Sequence, residues 1–337
     1  MANIKDVAKA AGVSTSTVSR TINNSKSIPD DTKARINEIM KKLNYTPNQN
    51  AKSLTTNKSY TITLIVDVDD EKSFQNPFFY EIMHGIEKQV YKKEYSFIVA
   101  NLKTMMKKLT VLDWLIKSKR TEGVILPSSM LDSITVESLR KDKIPFVSIG
   151  EPIHIKESIT WVDIDNKRGA EAATFYLLEK GYKSVAFLGL NQTKLFNRRR
   201  YEGYLNALHS ENIEIDSKLI IDCNNTKADG YQSMKALLAL EKCPDAVVCA
   251  DGELSFGAIK AIKEHGLAIP EDFGLISYDE SKIAELSYPT ISTVNVDMFE
   301  MGQQCAKLLF EQIENQNTRD QGILISTSLN CRETTKN

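Results

Sequence analysis

Residues 4–22 read IKDVAKAAGVSTSTVSRTI, and the spacing within them sets the N-terminal architecture. Ile4, Val7, Ala8 and Ala11 recur at helical intervals, one apolar stripe over two turns. Gly12 follows, suited to the positive φ that closes a helix. Ser14 is a good N-cap, and Val18 and Ile22 give a second helix its inward face. The opposite face carries Thr15, Ser16, Ser19, Arg20 and Asn23, which are short donors and acceptors plus one long cation. Two short helices joined at a glycine make a helix-turn-helix, whose second helix enters the DNA major groove N-terminus first. A third helix is expected from Pro29 or Asp30 to Leu43, with Ile36, Ile39, Met40 and Leu43 closing a three-helix core. The bland alternative is a small helical bundle with no role on DNA.

Charge argues against that alternative. Residues 1–60 hold ten Lys/Arg and four Asp/Glu, leaving 33 against 40 for the rest, so a whole-chain net charge of −1 hides a basic head on an acidic body. Polyanion binding is thereby confined to one end. The next segment, NYTPNQNAKSLT at 44–55, places Pro47 before about two turns of helix. Such a helix is too short to persist alone in water. It is read either as a plain linker or as a conditional helix whose single Leu54 resembles a minor-groove wedge.

Beyond residue 60 the pattern alternates. TITLIVDV at 61–68, FIVA at 97–100, GVILP at 123–127 and FVSIG at 146–150 are β-rich runs with helical patterns between them. VAFLG at 185–189, AVVCAD at 246–251 and GLISYD at 274–279 repeat the rhythm. Short Val/Ile/Leu-rich strands alternating with amphipathic helices mean parallel sheets with crossover helices. The expected fold class is α/β, with two doubly wound parallel-sheet lobes behind the helical head, because a body of this length exceeds one ordinary core. Ligands of such sheets sit beyond the strand C-terminal ends, here in the cleft between lobes.

Several residues fall at that edge. Phe78 and Phe79 can either stack on a sugar ring or pack in the core. Gly150, with Glu151, follows a first-lobe strand. Asp251 and Asp279 end second-lobe strands, where carboxylates can accept sugar hydroxyls. Arg200, in RRRYEGY, offers a planar fork for bidentate recognition, whereas Arg198 and Arg199 read as solvated. Asp165-Asn166 sits at a helix start and reads as a cap.

Enzymatic and membrane signals are missing from the pattern. Gly252 to Gly257 has phosphate-loop glycine spacing, but Ala-Ile follows where Lys-Ser/Thr is needed. There is no GxSxG and no HExxH, and the four histidines are scattered. We therefore expect no enzyme activity, cofactor or metal site. No run of eighteen apolar residues exists, and the N-terminus has no apolar signal core, so a cytoplasmic protein is expected. The five cysteines show no CxxC and read as free thiols in a reducing compartment.

The run IKDVAKAAGVSTSTVSR, followed by LNYTPNQNAKSL, resembles the DNA-binding head and hinge of the LacI/GalR family of bacterial repressors, and the resemblance continues through the body. It implies that Thr15, Ser16 and Arg20 read bases. By the same resemblance Asn3, Ser14, Thr17 and Asn23 contact phosphates, Leu54 intercalates, and Asn48 and Ala51 lie against the groove. It also tilts one of Phe78 and Phe79 toward a stacking role, and matches Asp279 and Arg200 to effector-binding positions. Asp251 and Gly252 depart from the usual Asn and Asp. Asn225 stands where several members place an aromatic, with Phe196 a substitute. The implied domains are a head at 1–47 and a hinge at 48–60. The first effector-binding and dimerisation lobe takes 61–162 and 292–321, and the second takes 163–291 and 322–330, with chain crossings near 162, 291 and 322.

The implied function is repression of a sugar-utilisation operon. Two chains pair through the first lobe and bind a pseudo-palindromic operator, and a mono- or disaccharide in the cleft, of maltose type, controls the hinge. Two other readings are kept: a catabolite regulator whose co-repressor is a phosphorylated phosphocarrier protein, and a sugar-binding receptor with no DNA role. No heptad tail follows Cys331, which favours a dimer over a tetramer.

Overall fold

The structure is a computed structural model that describes residues 2–47, 53, 56–66, 77–102, 105–106, 109–153, 155–315 and 317–336. By internal contacts the chain divides into two units, residues 1–61 with 115–122, and residues 62–114 with 123–337.

The head contains α1 (Ile4–Ala11), α2 (Thr15–Ile22) and α3 (Asp30–Lys42). Asn3 caps α1 in a capping box with Asp6, and Gly12 closes it at φ 64° in the left-handed region. Val7, Ala8, Ala11, Val18 and Ile36 form the core, lined by Ile4, Val13, Ile22, Ile39, Met40 and Tyr45. Leu43 was expected in that core but is 37% exposed. The helix ends at Lys42, so Leu43 turns outward and Tyr45 takes the inward place. At the end of this unit, the Tyr60 N–H donates to Glu122 Oε1 (2.6 Å) and Lys119 Nζ donates to Asn57 Oδ1 (3.3 Å).

The larger unit holds two six-stranded sheets. The first has the order β13-β7-β6-β5-β1-β2, with β1 (Thr61–Val66), β2 (Ser96–Asn101), β5 (Gly123–Pro127), β6 (Phe146–Ile149), β7 (Trp161–Ile164) and β13 (Gly322–Ile325). A short β3–β4 pair (Met105–Met106, Leu109–Thr110) stands apart. The second sheet has the order β14-β12-β11-β10-β8-β9, with β8 (Val185–Leu190), β9 (Ile220–Asp222), β10 (Ala246–Cys249), β11 (Gly274–Tyr278), β12 (Ser292–Val296) and β14 (Thr327–Asn330). Its neighbours pair in parallel except β12–β14, which is antiparallel. Strands such as β1 and β8 are buried along their whole length, as expected where helices cover both sides of a sheet.

Three helix pairs supply that cover. In the first lobe α4 (Pro77–Lys92) packs on α12 (Met298–Glu314). In the second, α7 (Asn166–Glu179) packs on α8 (Leu195–Ser210), and α9 (Lys227–Leu238) on α10 (Gly252–Glu264). Helices α5 (Val111–Lys117), α6 (Ser133–Lys141) and α11 (Lys282–Leu286) complete the body.

Sheet membership places the chain crossings at Asp165, Asp297 and Ser326, a few residues beyond the expected 162, 291 and 322. A strand completes its ladder before the chain can leave, so β7 and β13 finish in the first sheet and β12 in the second. Residues 292–296 therefore belong to the second sheet and 322–325 to the first, the reverse of the expected division. Asp165 and Asp297 each then cap the helix that follows, accepting from the backbone N–H of Arg168 (3.1 Å) and Glu300 (2.8 Å).

Candidate DNA-binding face and ligand cleft

On the head, Ser14, Thr15, Ser16, Arg20 and Asn23 are exposed and Thr17 is half-buried, on the faces of α2 left free by Val18. Ser14 Oγ accepts from the Thr17 N–H (3.1 Å) and shares hydrogen bonds with Ser16 Oγ (2.7 Å) and Thr17 Oγ1 (2.9 Å). The helix start is thus a fixed cluster of hydroxyls with a positive dipole end, a ready seat for phosphate oxygens. Arg20 stands one turn further along, long and exposed, suited to a base edge. Asn3 is exposed but its Oδ1 is engaged by the N–H groups of Lys5 and Asp6. The expected hinge contacts Asn48, Ala51 and Leu54 lie outside the described residues.

The residues expected to line the cleft stand at the C-terminal ends of strands in both sheets. On the second-lobe side Arg200, 4% exposed, is held from several directions. Its Nε donates to Asn166 Oδ1 (2.8 Å), its Nη1 to the Ala250 carbonyl, and its Nη2 lies 3.6 Å from Asp279 Oδ1. The guanidinium sits 3.7 Å from the centroid of Tyr278 and 5.1 Å from that of Phe196. Arg200 was expected to clamp a ligand directly; it is first of all a strut beneath the cleft floor, joining α7, α8, β10 and β11. Burial pushes the Asp279 carboxyl up to about 6, although Arg200 opposes the shift. Asp279 is also left-handed, at φ 71°.

Asp251 splits its carboxylate between two duties. Oδ1 accepts from the Glu253 N–H (3.0 Å), capping α10, and Oδ2 accepts from Asn225 Nδ2 (2.9 Å). Asn225 Oδ1 in turn accepts from Asn197 Nδ2 (3.2 Å), which also donates to the Gly189 carbonyl (2.7 Å). The residue standing in place of an aromatic therefore works as a link in a polar chain that aims Asp251. Phe196 is half-buried, with Lys194 and Arg200 over its ring.

On the first-lobe side Gly150 and Glu151 follow β6. The Glu151 N–H donates to Asp163 Oδ2 (2.9 Å), and burial raises the Asp163 carboxyl above its ordinary range. Phe79 packs against the main apolar cluster, favouring the core role of the two considered; the Phe78 side chain lies outside the description. Arg199, read from sequence as solvated, forms a forked ion pair with Glu151, Nη2 to Oε1 at 2.9 Å and Nε to Oε2 at 3.2 Å. Sequence also missed Asp163 and Asn197. The only trace of Asp163 is one carboxylate inside the strand WVDI. Asn166, expected as part of a cap, is buried and accepts from Arg200 instead.

Among the described residues no group of His, Cys, Asp or Glu is arranged to hold a metal, and no helix is long and apolar enough to cross a membrane. The five cysteines are free.

A family profile described as bacterial regulatory proteins, lacI family, matches residues 3–48, and one described as a periplasmic binding protein-like domain matches residues 174–335. An HTH-type transcriptional repressor PurR of Mannheimia succiniciproducens is 33% identical over 339 aligned positions, spanning 100% of this chain and 99% of its own. The chain belongs to the LacI family. It is a DNA-binding transcriptional repressor of that family, and relatives named as repressors point to a regulator and not an enzyme. Among solved structures, a transcriptional regulator CelR–cellobiose complex superposes with a TM-score of 0.72 at 28% identity, covering 99% of this chain and 100% of that one. A LacI-family regulator of Enterococcus faecium with bound ribose gives 0.68 at 28% identity, over 82% and 98%. The lac repressor dimer bound to operator gives 0.76 at 22% identity, over 99% of each chain, a likeness of fold.

Proposed function

We propose that this LacI-family repressor is controlled by a neutral, polyhydroxylated small molecule, a mono- or disaccharide, held between its two lobes, and that it governs a sugar-utilisation operon. The observation that carries the reading is the pair of strand-end carboxylates, Asp251 and Asp279, beside a guanidinium whose nitrogens already face protein partners. Acceptors outnumber free donors there, which fits a ligand rich in hydroxyl donors and disfavours an anion. The cellobiose and ribose complexes of related folds support a sugar as the ligand. Calorimetry against neutral sugars, sugar phosphates and purines tests it: micromolar binding of a neutral sugar is expected, and binding confined to purines or phosphosugars overturns it.

The chain acts as a cytoplasmic homodimer in this reading. A head of three helices covers one half-site, so a pseudo-palindrome needs two. Exposed apolar side chains support pairing: Tyr91, Ile98 and Val99 on the first lobe, and Ile283, Leu286 and Tyr288 on the second. Ligand binding alters the angle between lobes and so the spacing of the two hinge segments, each carrying Leu54. A coupling of ~1–3 kcal/mol changes operator affinity roughly 5- to 150-fold. At the DNA face, Arg20→Ala weakens the specific site by ~1–3 kcal/mol and leaves random DNA nearly unaffected. Equal losses on both, in a fluorescence-anisotropy titration, would make Arg20 a phosphate contact only.

A further inference from the structure

We propose that Glu151 and Arg199 form a latch across the cleft that holds the two lobes together. The pair joins the first lobe to the second without following the backbone. Glu151 lies just past β6, and Arg199 lies early in α8, so both stand at the strand C-terminal edges where the crevice is. Their contact is a fork: Nη2 reaches Oε1 at 2.9 Å and Oε2 at 3.0 Å, while Nε reaches Oε2 at 3.2 Å. A fork fixes two angles as well as a distance, so it constrains how the lobes face each other more than a point charge would.

Both partners are held in readiness. The Glu151 backbone is tied by its N–H to Asp163 Oδ2 at 2.9 Å, and Arg199 Nη1 is oriented by Glu202 Oε2 at 3.1 Å one turn along the same helix. Glu202 also makes the latch releasable. If the lobes part, Arg199 keeps a carboxylate beside it and Glu151 returns to water, so no charge is left buried alone. The side chains are 38% and 27% exposed, which admits water and lets salt weaken the pair. An effector has to work with or against this closure, so the latch sets the resting position of the switch. That consequence rests on the cleft being the effector site; the latch itself does not.

Single-molecule energy transfer on the full-length repressor, with dyes on unnatural amino acids replacing Ile134 in the first lobe and Ile215 in the second, reads the closed-to-open ratio. Both positions are exposed, at 78% and 43%. Glu151→Gln and Arg199→Gln should each lower the ratio roughly 2- to 5-fold, and the double variant should lower it no further. The exchanged pair Glu151→Arg with Arg199→Glu should restore part of it. Raising NaCl from about 0.05 to about 1 M should open the parent and leave Glu151→Gln unmoved. Circular dichroism confirms that each variant folds. Ratios equal to the parent at both salt concentrations, or additive losses in the double variant, overturn the latch. If the ratio shifts as stated while operator affinity stays constant, the latch stands and the coupling of cleft to DNA falls.

Discussion

Two carboxylates one residue apart, Asp279 and Glu280, meet opposite environments and should titrate with opposite consequences. Asp279 is raised by burial to about 6, from an ordinary value of 3.8. Between those limits the folded chain binds a proton that the unfolded chain has released, so its contribution to stability falls as pH rises from about 4 to 6. Asp279→Asn removes that penalty. It should stabilise the effector-free protein at pH 7 by on the order of 1–3 kcal/mol and flatten the stability slope across pH 4–6. Urea titrations at half-unit steps check this, and parallel slopes for parent and variant would sink it. Burial would raise Glu280 as well, but hydrogen bonds from Arg332, Thr293 and Asn330 outweigh it and lower its carboxyl. Arg332 grips both Glu280 oxygens, Nη2 to Oε1 at 2.9 Å and Nη1 to Oε2 at 3.0 Å, and Asn330 Nδ2 donates at 2.7 Å. This contribution is present above the ordinary glutamate value and is lost as pH falls through the lowered one. Glu280→Gln should cost about 1–3 kcal/mol at pH 7 and nearly nothing under acid. Equal costs at pH 7 and pH 3 would show that the ion pair is not the source.

At the scale of elements, the helix pairs decide how closely each lobe is packed. Helices α7 and α8 cross where Gly203 meets the backbone of the first turn of α7, and a Cβ there would collide with the Lys167 carbonyl oxygen. Backbone on backbone cannot yield by a rotamer change. Gly203→Ala should therefore destabilise the second lobe by roughly 1–3 kcal/mol and shift α8, which carries Arg199 and Arg200, so that ligand affinity drops with stability. At Gly12 no atom lies within 4 Å of an added Cβ, and only the φ of 64° resists. Gly12→Ala should cost the head about 1 kcal/mol through strain alone. Thermal melts of the two variants separate them, and a harmless Gly203→Ala would mean that the crossing is looser than described. The head and the strand rhythm were legible because local periodicity encodes them: a 3.6-residue stripe in α1 and α2, and short apolar runs at β1, β8, β10 and β11. The crossings were not legible, since GILISTSLN at 322–330 reads as one extended stretch while its halves join different sheets. The roles within Arg198-Arg199-Arg200 were equally hidden. Consecutive helical positions point about 100° apart, so three like residues take three different surroundings, and only the neighbouring elements tell which one crosses the cleft and which supports its floor.

For the whole molecule, the proposed function requires two heads acting as a pair. One head offers few base contacts, and specific affinity on a pseudo-palindrome comes from engaging two half-sites within one assembly. Pairing of the body has candidate surface on both lobes. Within α11, Leu286 is 83% and Ile283 63% exposed, and Tyr288, two residues past its end, is 87% exposed. Apolar side chains that large and that close together are uncommon on a free surface, and a second copy of the chain would cover them. Leu286→Glu with Tyr288→Glu adds two like charges to each side of such a seam, where desolvation and repulsion oppose contact. In sedimentation velocity the variant should run as a monomer at micromolar concentration while the parent runs as a dimer. Its affinity for a two-half-site operator should fall about 10²- to 10⁴-fold, and its affinity for a single half-site should stay unchanged. A variant that remains dimeric would move the seam to the first lobe, where Tyr91, at 78% exposed, and the edge strand carrying Ile98 and Val99 offer further apolar surface. A monomer that still held the full operator as tightly as the parent would overturn the dimeric reading itself, since each head would then suffice alone.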